Sequence, residues 1–177
     1  MSRPVLSTER FELAPLRPGD RQDLFAHFSD PATVEFMDIA PMTEITQADE
    51  TIAWATRLLD EDAGLRWAIR DRAGAFAGTV GFNSLVREHG SRGEIAYDVV
   101  RARWRQGVMG EVLPVVLDHG FASLGLHRIE ATVTPGNTAS VGLLLRHGFR
   151  REGLLRGYGH WKGGFQDVEL FARLADD

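Results

Sequence analysis

The stretch RARWRQGVMGEVLPVVLDHGF, residues 101–121, puts three arginines (Arg101, Arg103, Arg105), Gln106 and two glycines ahead of an apolar run with helical spacing. A helix N-terminus presents unpaired amides and about half a positive charge, so a glycine-containing turn that opens a helix is a ready anion site. Gly107 and Gly110 carry no Cβ and let backbone amides come close to a phosphate. An ordinary strand-to-helix connection would use the same residues, so the loop does not decide the matter alone. No lysine followed by Ser or Thr comes after it, which excludes a nucleotide P-loop. GxGxxG is absent and the preceding strand reads as part of an antiparallel meander, which excludes a dinucleotide fingerprint.

The basic character is local. The chain as a whole carries 20 Lys+Arg against 25 Asp+Glu, a formal charge of −5, which argues against a nucleic-acid-binding protein. Its 177 residues fit one domain spanning 1–177. With no cysteine there is no disulfide framework, thiolate metal site or cysteine nucleophile. That composition suits a reducing compartment, and a cytoplasmic location is expected. No apolar run approaches the length of a membrane span and the N-terminus lacks a secretory apolar stretch, so no membrane association is expected. The histidines at 27, 89, 119, 127, 147 and 160 show no metal-ligand spacing, and no metal is expected.

Working outward from residue 101, EIAYDVV reads as the strand before the loop, and a helix is predicted from about Gly107 to Leu124. HRIEATV is the next strand, PGN a turn, and TASVGLLLRHGF a helix stopped at Gly148. The tail from Phe149 reads as two long strands around the turn at 163 and 164. On the N-terminal side, ERFELAPLR, LRWAIRD and AFAGTVGFNSLV read as strands. Asp20 is placed as the N-cap of a short helix, a second short helix is placed from Pro31 to about Met37, and Thr46 with Asp49 suggests a capping box for a third. The order describes one mixed α+β sheet of about seven strands.

Asn137 and Ser140 open the helix that contains Leu143, Leu144 and Leu145, and by itself Asn137 reads as an N-cap. Taken in order, WRQGVMGEV followed by NTASVGLLLRHGF resembles motifs A and B of the GNAT acyltransferase superfamily. LSTERFELAPLRPGD, GEIAYDV and the tail EGLLRGYGHWKGGFQDVELFARL resemble its ribosomal-protein alanine N-acetyltransferase-like (RimJ/RimL-like) branch, and the likeness covers essentially the whole chain. It implies a single-domain, mostly antiparallel twisted sheet with helices on both faces, and acetyl-CoA as acyl donor.

In that family the loop amides hold the donor's pyrophosphate, which here implies Arg105, Gln106, Gly107, Val108, Met109 and Gly110. Asp98 and Val99 at the strand end would pair their backbone with the pantetheine arm, and Asn137 would bond the arm or the region of the departing thiol. The chain departs from the pattern in three places. Met109 stands where a small residue is common, so its side chain is expected to turn away from the amides. Pro114 lies inside the expected helix and is expected to kink it. Leu144 replaces the tyrosine that protonates the leaving thiolate in several branches. A CoA thiol, with a pKa of about 8.5 by analogy with cysteine, can leave without that acid.

An amine must lose a proton to attack a thioester, and a carboxylate is the natural base where cysteine is absent. Glu94, on the strand that would line the acyl arm, is the first candidate and Glu130, on the neighbouring strand, the second; each reads equally as a solvated strand carboxylate. Tyr97 orients substrate or packs in the core. Tyr158, His160, Trp161, Phe165 and Asp167 either shape an acceptor groove or pack the sheet, and Trp54 and Trp67 read as core. The expected activity is acetyl transfer to a primary amine, a protein N-terminus or a small molecule, by direct attack in a ternary complex. A catalytically silent acyl-CoA-binding module and an enzyme using another donor such as succinyl-CoA are the alternatives. The resemblance alone suggests a homodimer.

Overall fold

The structure is a computed structural model that describes residues 4–88 and 90–177; His89, one of the six histidines, lies outside the described residues. The strands are β1 (Leu6–Ser7), β2 (Phe11–Pro15), β3 (Leu65–Asp71), β4 (Phe76–Val86), β5 (Arg92–Val99), β6 (Arg128–Val133), β7 (Arg150–Trp161) and β8 (Gly164–Leu174). They form one sheet in the order β1-β2-β3-β4-β5-β6-β8-β7. Only β5 and β6 run parallel among the paired strands. Seven strands match the pattern of apolar alternation. The eighth, β1, is two residues long, pairing Leu6 with Leu13 and Ser7 with Glu12, and is too short to alternate.

The helices are α1 (Arg21–Phe28), α2 (Thr46–Asp60), α3 (Val108–Asp118) and α4 (Thr138–Arg146). Leu24, Phe28, Ala48 and Ile52 pack α1 and α2 against one face of the sheet. Val112, Val116, Leu143 and Leu144 pack α3 and α4 against the other, over Phe82, Ile129 and Phe171. The alternating strand pattern thus buries side chains on both faces. None of the described helices is long and apolar enough to cross a membrane.

Four local expectations are corrected. Residues 31–37 form turns, not a helix, because the Asp30 carboxylate takes the Ala32 N–H at 2.9 Å and diverts the backbone. Asp20 stands at the α1 cap position but makes no cap bond; its carboxylate accepts from the Arg17 N–H and from Arg70. At α2, Thr46 is already helical, and Gln47 Oε1 gathers the N–H groups of Thr43 and Glu44 at 2.8 and 3.0 Å. The expected helix to Leu124 is divided: α3 passes through Pro114 to Asp118, and a π-helical turn, His119–Ser123, follows.

Two polar clusters fix these elements. Glu111, in the first turn of α3, accepts from Thr8 Oγ1 at 2.6 Å, the Arg10 N–H at 2.8 Å and Arg10 Nε at 2.5 Å, which fastens the helix to the β1–β2 turn. Desolvation pushes its carboxyl up, but the bonds from Thr8 and Arg10 outweigh it and bring the pKa from 4.5 to about 2. On the other face, Asp98 Oδ1 lies 2.7 Å from His27 Nε2 and accepts the Thr79 N–H at 2.9 Å. Its Oδ2 accepts from Thr79 Oγ1 at 2.6 Å and from Arg66 at 3.3 Å. Burial opposes the Asp98 charge, yet these partners hold its carboxyl below the usual range.

Removing one member of a buried ionic cluster leaves the others uncompensated. Asp98→Ala is therefore expected to lower unfolding free energy by about 3–5 kcal/mol in urea titration, and a loss below about 1 kcal/mol contradicts the cluster's role. Because the Glu111 pKa is depressed on folding, its contribution is full above pH 4.5 and is lost as the pH falls toward about 2. The melting-temperature difference between the native chain and Glu111→Gln should shrink across that window and stay constant above it.

Candidate active site

β5 and β6 pair through only three positions, Arg92 with Arg128, Gly93 with Ile129 and Glu94 with Glu130. Beyond them β5 continues along β4 to Val99 while β6 continues along β8 to Val133, so the two strands part and leave a gap inside the sheet. The Val100 N–H donates to Ala77 O at 3.0 Å. By the alternation of antiparallel pairing, even-numbered residues of this segment turn their main chain to β4 and Tyr97 and Val99 turn theirs to the gap. The absence of a Cβ on Gly78 lets the Asp98 carbonyl approach β4; an added Cβ would lie 2.2 Å from it. Asp98 is therefore corrected as a gap-lining residue: its carboxylate is buried in the α1-side cluster and its carbonyl faces β4. Val99 stays at the gap, where its carbonyl accepts the Trp104 indole N–H at 2.7 Å.

Past β5 the chain makes a short 3₁₀ turn, Arg101–Arg103, and two left-handed residues, Arg105 (φ +60°) and Gly107 (φ +73°), aim the loop into α3. Among the described residues, the N–H groups of Arg105, Gly107, Val108, Met109 and Gly110 have no acceptor, while that of Gln106 closes a turn on Arg103 O at 3.3 Å. Four of those five lie at or just before the first turn of an eleven-residue helix, where the dipole favours an anion. A Cβ added to Gly110 would meet nothing within 4 Å, so the surface over it is open. The Met109 side chain is buried in the core and leaves the amides clear, as expected. Arg10, which the sequence reading did not single out, supports the loop by donating to Gln106 O at 3.1 Å. Arg103 is paired with Asp71 and Arg101 lies 3.8 Å from Asp30.

Glu94 and Glu130 face each other in register across the last paired position of β5 and β6, but their surroundings differ. Glu130 bonds Arg128 at 2.9 Å and lies 3.7 Å from Arg92. Arg128 also holds Glu152 at 2.6 Å, and these contacts raise its pKa. Glu94 accepts only the Thr132 hydroxyl, at 2.9 Å, with no arginine on it among the described residues. Tyr158 on β7 feels both carboxylates: partial burial and then the charges of Glu94 and Glu130 push its hydroxyl pKa up.

At the other wall, Tyr97 Oη lies 2.7 Å from Ser140 Oγ at the N-terminus of α4. Burial pushes the Tyr97 hydroxyl up to about 12, so it stays protonated. The Ser140 N–H is capped by Asn137 Oδ1 at 3.1 Å, which occupies the Asn137 carbonyl and leaves its amide group for another partner. Leu144 is fully buried in the core and presents no acid. The Tyr97–Ser140 pair was not legible as a unit in the sequence, because the residues meet only through strand register. In the C-terminal hairpin, Asp167 Oδ1 accepts the Gly157 N–H at 2.7 Å and fixes a bulge beside Tyr158, while His160 and Phe165 pack edge to face. Trp67 is core, as read, and Trp54 packs at its margin. Among the described residues no cluster of three His, Asp or Glu could hold a metal ion.

This geometry agrees with what the chain is similar to. Residues 10–150 match the acetyltransferase (GNAT) domain family. An uncharacterized N-acetyltransferase, p20, of Bacillus licheniformis is 39% identical over 171 residues, covering 96% of each chain. Another, YoaA of Bacillus subtilis (strain 168), is 36% identical over 170 residues with the same coverage. The structure of Mycobacterium smegmatis RimJ in complex with CoA-disulfide superposes with a TM-score of 0.88 at 27% identity, covering 97% of this chain and 87% of that one. The chain belongs to the GNAT family of acetyltransferases, and its fold is shared with RimJ.

Proposed function

We propose that this N-acetyltransferase moves an acetyl group from acetyl-CoA to a primary amine by direct attack within the gap between β5 and β6. The observation that carries the reading is the juxtaposition of that gap with five unpaired amides in the loop and first turn of α3. The residues fit the donor: a diphosphate suits the amides of Arg105, Gly107, Val108, Met109 and Gly110, and the space above Gly110 is open. The outward main chain of Tyr97 and the Val99 N–H suit an amide-bearing arm, and we assign to the Asn137 amide, which its cap bond does not use, a contact to the same arm. Acetyl-CoA supplies the acyl thioester.

Glu94 takes the proton from the incoming ammonium, directly or through one water, because its charge is not spent on an arginine. Glu130 is engaged by Arg92 and Arg128, which hold its carboxylate away from an incoming amine. Ser140, held by the Tyr97 hydroxyl, offers a hydrogen bond to the departing sulfur, which leaves as the thiolate and takes its proton from water. The acceptor we infer is a protein N-terminus, the reading suggested by a shared fold with RimL, a ribosomal L7/L12 alpha-N-protein acetyltransferase, with small primary amines as the other class to test.

Three variants examine this reading. Gly110→Val meets no neighbour, so the fold should persist while the new side chain covers the amides. Calorimetry should find CoA bound at least about tenfold more weakly, a change of about 1.4 kcal/mol; unchanged affinity places the donor elsewhere. Glu94→Gln should lower turnover by about 10² to 10⁴ with donor affinity unchanged, against a much smaller loss for Glu130→Gln. An unaffected rate for Glu94→Gln across pH 6 to 9, at about 25 °C, removes it as the base.

A further inference from the structure

Lys162 is the only lysine in the chain, which otherwise uses arginine for its fixed positive charges. It occupies the first of two loop positions between β7 and β8, with φ +51°, followed by Gly163 at +83°, and the Trp161–Gly164 pair closes the turn. Such a turn favours Asn-Gly, so the turn itself gives no reason for a lysine. Its ammonium does: Lys162 Nζ donates to the carbonyls of Val34 at 2.6 Å and Glu35 at 3.0 Å, across the molecule in the segment that joins α1 to α2.

That segment has two further attachments. At one end Asp30 lies 3.8 Å from Arg101, just past the end of β5. At the other, Phe36 O accepts the Thr134 hydroxyl at 2.8 Å, just past the end of β6, and the Phe36 ring lies over Gly136. Between them the Val34 side chain is buried in the α1–α2 core. Residues 30–36 therefore form a strap from the end of β5 to the end of β6, across the mouth of the gap these strands leave. The lysine ties the middle of the strap to the hairpin whose β7 strand carries Tyr158.

We propose that Lys162 is a positioning residue for acyl transfer: its ammonium holds the 30–36 strap across the parted ends of β5 and β6, so that the acceptor amine enters beneath it and bulk water is kept from the thioester. The kinetic consequence rests on the acyl-transfer reading of the gap; the tether itself does not.

The full chain is compared with Lys162→Asn and Lys162→Arg. Asn suits the left-handed turn but lacks the ammonium, so Lys162→Asn should melt no lower than the native chain; Arg keeps the charge and the donors. In hydrogen exchange read by mass spectrometry, peptides covering 30–37 should exchange at least about fivefold faster in Lys162→Asn and near the native rate in Lys162→Arg. With acetyl-CoA and no amine, thiol release by hydrolysis to acetate should rise several-fold in Lys162→Asn, with CoA affinity within about twofold of native. Native protection of the strap in Lys162→Asn overturns the tether, and faster exchange without faster hydrolysis overturns the exclusion of water. If even the native chain neither binds CoA nor releases thiol, the acyl-transfer reading falls while the exchange data still judge the tether.

Discussion

The site depends on one constraint, the loss of pairing between β5 and β6 after Glu94 and Glu130. A strand edge inside a sheet leaves main-chain donors and acceptors unpaired, and such groups need a partner or water. The chain keeps the gap open by binding β5 firmly on its other side. Along β4 the pairing runs to Val99, and Asp98 adds side-chain bonds to Thr79 on β4, Arg66 on β3 and His27 on α1. The missing Cβ of Gly78 lets β4 come close enough for this. With β5 following β4 to Val99 and β6 following β8 to Val133, the two strands diverge after Glu94 and Glu130, and the Asp98 cluster adds to the hold on the β5 side.

Electrostatics then separates groups that the register treats alike. Glu94 and Glu130 stand opposite each other, but Arg92 and Arg128 converge on Glu130 alone. Arg128 also meets Glu152, so the two carboxylates and two guanidiniums of this group compensate one another. Glu94 keeps its charge for whatever enters the gap. At the loop before α3 the division is similar: Arg103 and Arg101 stand beside Asp71 and Asp30, so the proposed diphosphate would meet oriented amides more than free side chains. Glu111, which would repel an anion there, is held by Arg10 and Thr8.

Legibility in the sequence followed the range of the signal. Residues 101–121 reported the loop and helix because glycine spacing and apolar periodicity are local, and seven strands were visible through alternation. β1 was invisible because two residues carry no period. The helix placed at 31–37 failed because Pro31 is compatible with a helix start while Asp30, one residue earlier, turns the chain with its side chain. Asp98 and Val99 looked equivalent in composition; only register shows which carbonyl faces β4. Tyr97 with Ser140 and Lys162 with Val34 are contacts between residues far apart in the chain, and no local pattern encodes them.

Leu144 shows how the chain accommodates the loss of an acid. A thiol with a pKa of about 8.5 leaves readily near neutral pH, so only modest help is required from a donor. The Tyr97 hydroxyl, pushed up to about 12 by burial, is too weak an acid to transfer its own proton readily. It remains a firm hydrogen-bond donor and fixes the Ser140 hydroxyl at the start of α4, where the helix dipole favours a developing negative charge. On the proposed reading, a leaving thiolate at that position would be stabilised by the field of the helix terminus and by a hydrogen bond from the Ser140 hydroxyl, and would take its proton from water. Leu144 completes the core behind it, so on the proposed reading the polar contact to the sulfur comes from β5 and the first turn of α4 alone.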